Sequence, residues 1–366
     1  MDWLKLRWGK ARPASNAGDA RATVCRRLTN CVDPPLRALA SQRGLRIGAA
    51  VDDRALRDDL VYREILAREF NMVTCENAIK FGPLRPSRQT FAFAAADSIV
   101  AFAESHGMAV RGHALLWHKM LPEWFRAGGF SYDDAIDVLR GHIQTVTRHY
   151  AGRLAAWDVV NEAVENDGSW RQTPFLKIFG PDYLSMAFHW AHEGDPSAKL
   201  FYNDYCADEI NPKSDAIHEI VRDLLKQGVP IHGVGLQMHV DFSYRPRPDS
   251  IARNIRRFVE LGLDVHITEM DVALDVPASK RDLDEEARMY REAVEICLAT
   301  QFVKPRQTVE GCSALVTWGV TDRYSWVPQH FRGKGAPLLF DEKGQPKPAY
   351  FAVREALLSG APSART

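Results

Sequence analysis

LAAWDVVNE, residues 154–162, is a run of strand length, mostly apolar, that ends on a carboxylate. Before it, residues 132–149 carry apolar side chains at helical spacing, and after it so do 182–193. The same unit recurs in both directions. Upstream lie LRIGAAV (45–51), NMVTCE (71–76) and AVRGHALLW (109–117); downstream lie AKLFYND (198–204), GVGLQMHV (233–240), DVHITEMD (264–271) and ALVTWGV (314–320). Helical stretches are expected at 55–69, 94–106, 213–227, 249–261, 280–299 and 347–358 as well. Strands that alternate with helices imply a parallel sheet. Eight such units predict an α/β protein with one closed (β/α)8 TIM barrel, over residues 45–360. An open doubly wound sheet fits less well, because no glycine-rich phosphate loop follows the first strand.

Several boundaries are marked. Ser131, Asn211-Pro212 and Pro181-Asp182 are placed to open helices, and Gly107, Gly228 and Gly262 to close them. Residues 1–44 have no clear periodicity and read as a loosely ordered leader that becomes a short helix near Leu36–Gln42.

The 366 residues are 46% hydrophobic and 26% charged, enough for a full core without staples. Lys+Arg and Asp+Glu both number 47, so no global charge favours nucleic acid or an anionic membrane, and neither is expected as a partner. No apolar run is long enough to span a bilayer. The first thirty residues are basic, with Lys5, Arg7, Lys10, Arg12, Arg21, Arg26 and Arg27 against Asp2 and Asp19, but no apolar core follows as in a secretory signal. A cytoplasmic location is the expectation, with a secreted or periplasmic one if the N-terminus is misassigned. Cys25, Cys31, Cys75, Cys206, Cys297 and Cys312 show no C-x-x-C spacing and read as reduced thiols, most of them buried.

Two strand-end glutamates, Glu162 and Glu269, are the candidate chemistry. Barrel catalysis occurs at the carboxyl ends of strands, and a carboxyl pair is what glycoside hydrolysis needs. Trp157, Val159 and Val160 make the sequence around Glu162 apolar, which would raise a carboxyl pKa and suit a general acid. Glu269 stands near Asp271 and His239, whose polarity would keep it ionised as a nucleophile requires.

The stretches ENAIK (76–80), RGHALLWH (111–118), WDVVNEAVENDG (157–168), HITEMD (266–271) and LLFDEKGQPKPAY (338–350) resemble, in order, the signatures of glycoside hydrolase family 10, the xylanases. The resemblance covers about residues 46–353, although the Asn-Glu pair at strand four is shared with cellulases and mannanases. It implies a retaining endo-β-1,4-xylanase acting on xylan or xylooligosaccharides without a cofactor, with Glu162 as acid/base and Glu269 as nucleophile. It also implies sugar contacts from Glu76, Asn77, Lys80, His113, Trp117, Asn161, Gln237, His239, Asp271, Trp318 and Trp326, with Tyr205 a weaker candidate. Asp271 would orient His239 by accepting a ring proton. The family's W-H-x-Q-x-P reads Trp117-His118-Lys119-Met120-Leu121-Pro122 here, and the apolar Met120 would disfavour glucose-type units.

A metal site is not expected. His113 and His118 are five apart, which on a continuing strand sends them to opposite faces, and no H-E-x-x-H occurs. The rival functions are another retaining β-1,4-glycanase, a non-catalytic xylan-binding barrel, and a metal- or lysine-dependent lyase or aldolase, for which Lys80 is the near candidate. Oligomeric state is open.

Overall fold

The structure is a computed structural model that describes residues 34–241, 243–301 and 311–359. Residues 1–33 of the expected leader, with Cys25 and Cys31, lie outside the described residues. Eight parallel strands form the barrel: β1 (Arg46–Val51), β2 (Met72–Cys75), β3 (Ala109–Trp117), β4 (Ala156–Asn161), β5 (Lys199–Asp204), β6 (Gly233–Leu236), β8 (Asp264–Asp275) and β9 (Cys312–Thr317). They pair in chain order, and β9 returns to pair with β1, closing the ring. β7 (His239–Asp241) continues alongside the far end of β8, and β10 (Lys334–Gly335) pairs antiparallel with it.

The helices follow from amphipathic spacing. Tyr132–His149 buries Ala135, Val138, Leu139, His142, Ile143 and Val146, a stripe at three- and four-residue intervals, against the strands. Ser131 caps it by accepting from Asp134 N, and Asn211 opens Pro212–Lys226 with a capping box. Gly107, Gly228 and Gly262 all have positive φ past helix ends, as their positions predicted. Asp182 makes no side-chain cap; Gly180–Asp182 is instead a 3-10 turn leading into Tyr183–Gly194. The helix expected over 55–69 is two helices, Asp53–Asp58 and Leu60–Glu69, because Asp59 leaves helical geometry to accept from Tyr62 N.

Other boundaries also moved. The run 233–240 is not one strand: Met238 has φ 61 and its N–H donates to Asp208 Oδ1, 2.9 Å, breaking the ladder between β6 and β7. The eighth barrel strand starts at Cys312, two residues before its expected start, and the seventh runs on to Asp275. The helix Leu36–Gln42 packs Leu36 and Leu39 into the core, and the Leu36 N–H donates to Glu69 Oε2, 2.8 Å. Among the described residues no helix is long and apolar enough to cross a membrane.

The main apolar core lies between strands and helices; Met72, Ala314 and Val316 form a small separate apolar cluster, and the barrel also encloses a polar network. Arg111, fully buried, donates to both carboxylate oxygens of Asp158 and stacks 4.4 Å from the Phe201 ring. Its Nη1 lies 2.8 Å from His266 Nδ1, and His266 Nε2 lies 3.1 Å from Ser313 Oγ. This network plugs the floor beneath the carboxyl ends of the strands.

Candidate active site

β4 delivers Glu162 one residue past its end, with φ 59. A non-glycine residue in this region costs about 1–3 kcal/mol and persists only when its surroundings over-determine it. Here Glu162 N donates to Asn203 O (2.9 Å) and Arg171 Nε donates to Glu162 O (2.9 Å). The next N–H, of Ala163, donates to Tyr202 OH (3.1 Å), which donates to Asp204 Oδ2 (2.6 Å). The carboxyl group is buried. Its Oε1 accepts from Asn161 Nδ2 (3.3 Å) and Gln237 Nε2 (3.4 Å), and Oε2 makes no hydrogen bond to the described residues. The apolar neighbours read from the sequence are not what surrounds it. Trp157 packs on the helix side of the sheet, its ring over Gly112 and 6.2 Å from Tyr150.

Glu269 sits within β8 and is tied on both oxygens. Asn203 Nδ2 donates to Oε1 (2.7 Å), and His239 Nε2 lies 3.2 Å from Oε2. His239 Nδ1 is 2.9 Å from Asp271 Oδ1, so the imidazole bridges the two acids. Burial opposes a charge on His239, but the two carboxylates overcome it and push its pKa up to about 10, so the ring is doubly protonated and donates both ways. Burial likewise works to raise Glu269. His113, 3.8 Å away, and the hydrogen bond from His239 outweigh it and hold Glu269 below its ordinary range.

Asn161 and Asn203 join the two glutamates. Asn203 Nδ2 donates to Asn161 Oδ1 (2.9 Å), and so does Gln237 Nε2 (3.1 Å), while Asn161 Nδ2 turns to Glu162. In the opposite setting of the Asn161 amide its nitrogen donates to Asn203 O (3.1 Å) and its oxygen accepts from Trp117 Nε1 (3.2 Å), so both settings hold Asn161 against Asn203.

The remaining residues singled out from the sequence surround this pair. Trp318 packs edge-on to His113 (5.1 Å) and His239 (6.1 Å). Trp326 Nε1 donates to Asp271 Oδ2 (2.7 Å) and lies 5.1 Å from the His239 ring. Lys80 is buried, not solvated, with Nζ donating to Asn77 Oδ1 (2.9 Å) and 4.6 Å from the centre of Trp117. Asn77 Nδ2 donates to Glu76 Oε1 (3.2 Å), and burial pushes Glu76 up to about 7 despite Lys80. Tyr205 stands further along, its hydroxyl accepting from Arg171 Nη2 (2.7 Å) and its ring 3.5 Å from Lys213 Nζ. Met120 is 43% exposed and left-handed, its carbonyl accepting from Gly82 N (2.8 Å).

The two-face argument for His113 and His118 does not hold. The β3–β4 register shifts between His113 and Leu116, and His118 lies beyond the strand, where burial lowers its pKa to about 4 against the pull of Glu162. Among the described residues no group of three or more His, Cys, Asp or Glu is arranged to hold a metal ion. Sequence reading missed Asn203, Arg111, Asp158 and Arg171. Asn203-Asp204 at the end of β5 was the available signal: two polar residues closing an apolar strand at the barrel mouth.

A closed parallel barrel with two buried carboxyl groups at its carboxyl end, one ion-paired and one not, defines a barrel glycosidase. Comparison with known proteins narrows the class. The model of Glycosyl hydrolase family 10 matches residues 35–356, and the chain belongs to that family. It is 41% identical over 331 residues to endo-1,4-beta-xylanase B of Thermotoga neapolitana, covering 89% of this chain and 92% of that one. Among solved structures, xylanase 10B of Thermotoga maritima superposes with a TM-score of 0.83 at 41% identity, over 88% of this chain and 98% of that one. Xylanase 10B of Thermotoga petrophila RKU-1, solved with xylobiose, matches at TM-score 0.83 and 41% identity, over 88% and 97%.

Proposed function

We propose that this protein is an endo-β-1,4-xylanase that cleaves xylan or xylooligosaccharides with retention of configuration. The observation that carries the reading is the contrast between the two glutamates within one hydrogen-bonded cluster. Glu269 is held as a carboxylate by Asn203 and His239. Glu162 keeps one buried oxygen without a hydrogen bond, free to carry a proton toward a leaving group. Glu269 attacks the anomeric carbon while Glu162 protonates the departing oxygen. Glu162 then takes a proton from water, which displaces Glu269 from the glycosyl-enzyme. A retaining pair stands roughly 5–5.5 Å apart, and the short chain Glu162–Asn161–Asn203–Glu269 is compatible with such a spacing.

Sugar binding is assigned to the surrounding groups. Glu76, Asn77 and Lys80 form one polar cluster beside Trp117, Asn161 and Gln237 line the side of Glu162, and His113 and His239 line that of Glu269. Trp318 and Trp326 supply apolar surface for pyranose faces, Asp271 positions His239 and Trp326, and Tyr205 serves a more distant unit. Xylanase relatives at 41% identity support xylose over glucose or mannose.

The test is hydrolysis of xylan, carboxymethylcellulose and mannan, followed by two variants. Release of reducing sugar from xylan with the β-anomer appearing first is expected. Glu269→Ala should abolish turnover of every β-xyloside. Glu162→Ala should cost about 10²–10⁴-fold with poor leaving groups and far less with activated aryl glycosides. Equal loss on both classes would remove Glu162 from the acid role.

A further inference from the structure

The loop after β4 holds a cation that the proposed chemistry does not use. Arg171 Nε donates to the carbonyl of Glu162 (2.9 Å), and Nη2 donates to Tyr205 OH (2.7 Å) and Val164 O (3.3 Å). Its own N–H donates to Ala163 O (2.9 Å), and Nη2 lies 3.2 Å from Glu165 Oε2. One planar fork thus joins the loop after β4 to the loop after β5. Its side chain is only 14% exposed and its donors point at protein.

The acceptor that matters is the Glu162 carbonyl. It follows the left-handed φ of 59, in a conformation that most residues leave when their surroundings permit. The Asn203 carbonyl fixes the amide before Glu162, and Arg171 fixes the peptide after it. Relaxing that φ would swing the Glu162 carbonyl and Cβ together about N–Cα. Arg171 on the carbonyl, with Tyr202 OH on the adjoining Ala163 N–H (3.1 Å), resists it, so loss of Arg171 loosens the direction in which the carboxyl leaves the strand end. A lysine reaches one acceptor; the guanidinium serves three in one plane.

We propose that Arg171 is a positioning residue for Glu162: it locks the peptide that aims the acid/base carboxyl and sets Tyr205 in the same frame. The proposal rests on the acid/base assignment of Glu162. The test measures kcat/KM of wild type, Arg171→Met, Arg171→Lys and Glu162→Gln on unsubstituted xylohexaose and on 2,4-dinitrophenyl β-xylobioside. Active sites are titrated with a 2-deoxy-2-fluoro-xylobioside inactivator, which needs the Glu269 nucleophile but little acid assistance.

Arg171→Met is expected to lose about 10- to 100-fold on xylohexaose, the scale of a small misplacement of a reacting group, and to stay within about threefold on the activated substrate. Arg171→Lys should fall between. Parallel loss on both substrates after titration, as a merely structural role would give, overturns the proposal, and so does unchanged cleavage of xylohexaose. If Arg171→Met does not fold, Arg171→Lys carries the same comparison. Glu162→Gln losing both substrates equally would bring down the acid assignment itself, a failure separate from any result on Arg171.

Discussion

At the scale of single residues, the site works by giving two glutamates different partners. His239 carries the clearest consequence. Its folded pKa is raised to about 10 from an ordinary 6.5, so its stabilising contribution is complete below 6.5 and is lost as pH rises through about 10. Glu269 is depressed, so its contribution is present above its ordinary 4.5 and is lost as pH falls through the lower folded value. The Glu269–His239 ion pair of the folded protein is therefore intact from below the ordinary carboxyl value of 4.5 up to about 10. His239→Asn removes the charge, and the acidic limb of kcat/KM should move to higher pH. An unmoved limb would show that His239 does not set the ionisation of Glu269. Met120, exposed at the end of the β3 loop, is where a family glutamine is expected. Met120→Gln should raise turnover of aryl-cellobioside relative to aryl-xylobioside by a few-fold; an unchanged ratio would take Met120 out of sugar selection.

At the scale of elements, strand and helix edges decide where these side chains stand. Glycine at 112 in β3 leaves room for the Trp157 ring on β4, which a methyl group would meet. Gly112→Ala should therefore cost about 1–3 kcal/mol of stability through overpacking, read as a lower midpoint in urea. A midpoint equal to wild type would mean that the ring has room to move. Helix caps were legible from local chemistry, since Ser131 and Asn211 each need only a backbone N–H two or three residues on. Asp182 had the right composition but entered the helix from a 3-10 turn with αR geometry, which turns its carboxylate away from that role. The break at Met238 was not legible, because its cause is Asp208, thirty residues earlier and held on another loop.

At the scale of the whole molecule, the lumen network decides how rigidly the carboxyl ends of the strands are held. Arg111 and Asp158 come from adjacent strands, and Asp158 Oδ2 lies 3.0 Å from His113 Nδ1, which faces Glu269. Arg111→Met leaves Asp158 buried without its main partner and should destabilise the fold by about 3–5 kcal/mol. A thermal midpoint close to wild type would mean that water or His113 replaces the guanidinium. The eight-unit rhythm and the two strand-end glutamates could be read directly, because barrel architecture repeats a local pattern of hydrophobic spacing and a strand end is a local property. That Glu162 would be set by Asn203, Tyr202 and Arg171, and that Trp157 would turn its ring away from it, could not be read. Those outcomes depend on which strands become neighbours, on a register shift between β4 and β5, and on a single left-handed residue. By itself the sequence determined the barrel and the presence of two strand-end glutamates, since both follow from short-range order. Only the tertiary structure decided how the two carboxyl groups are tuned, because charge, burial and hydrogen bonding are supplied by residues distant in the chain.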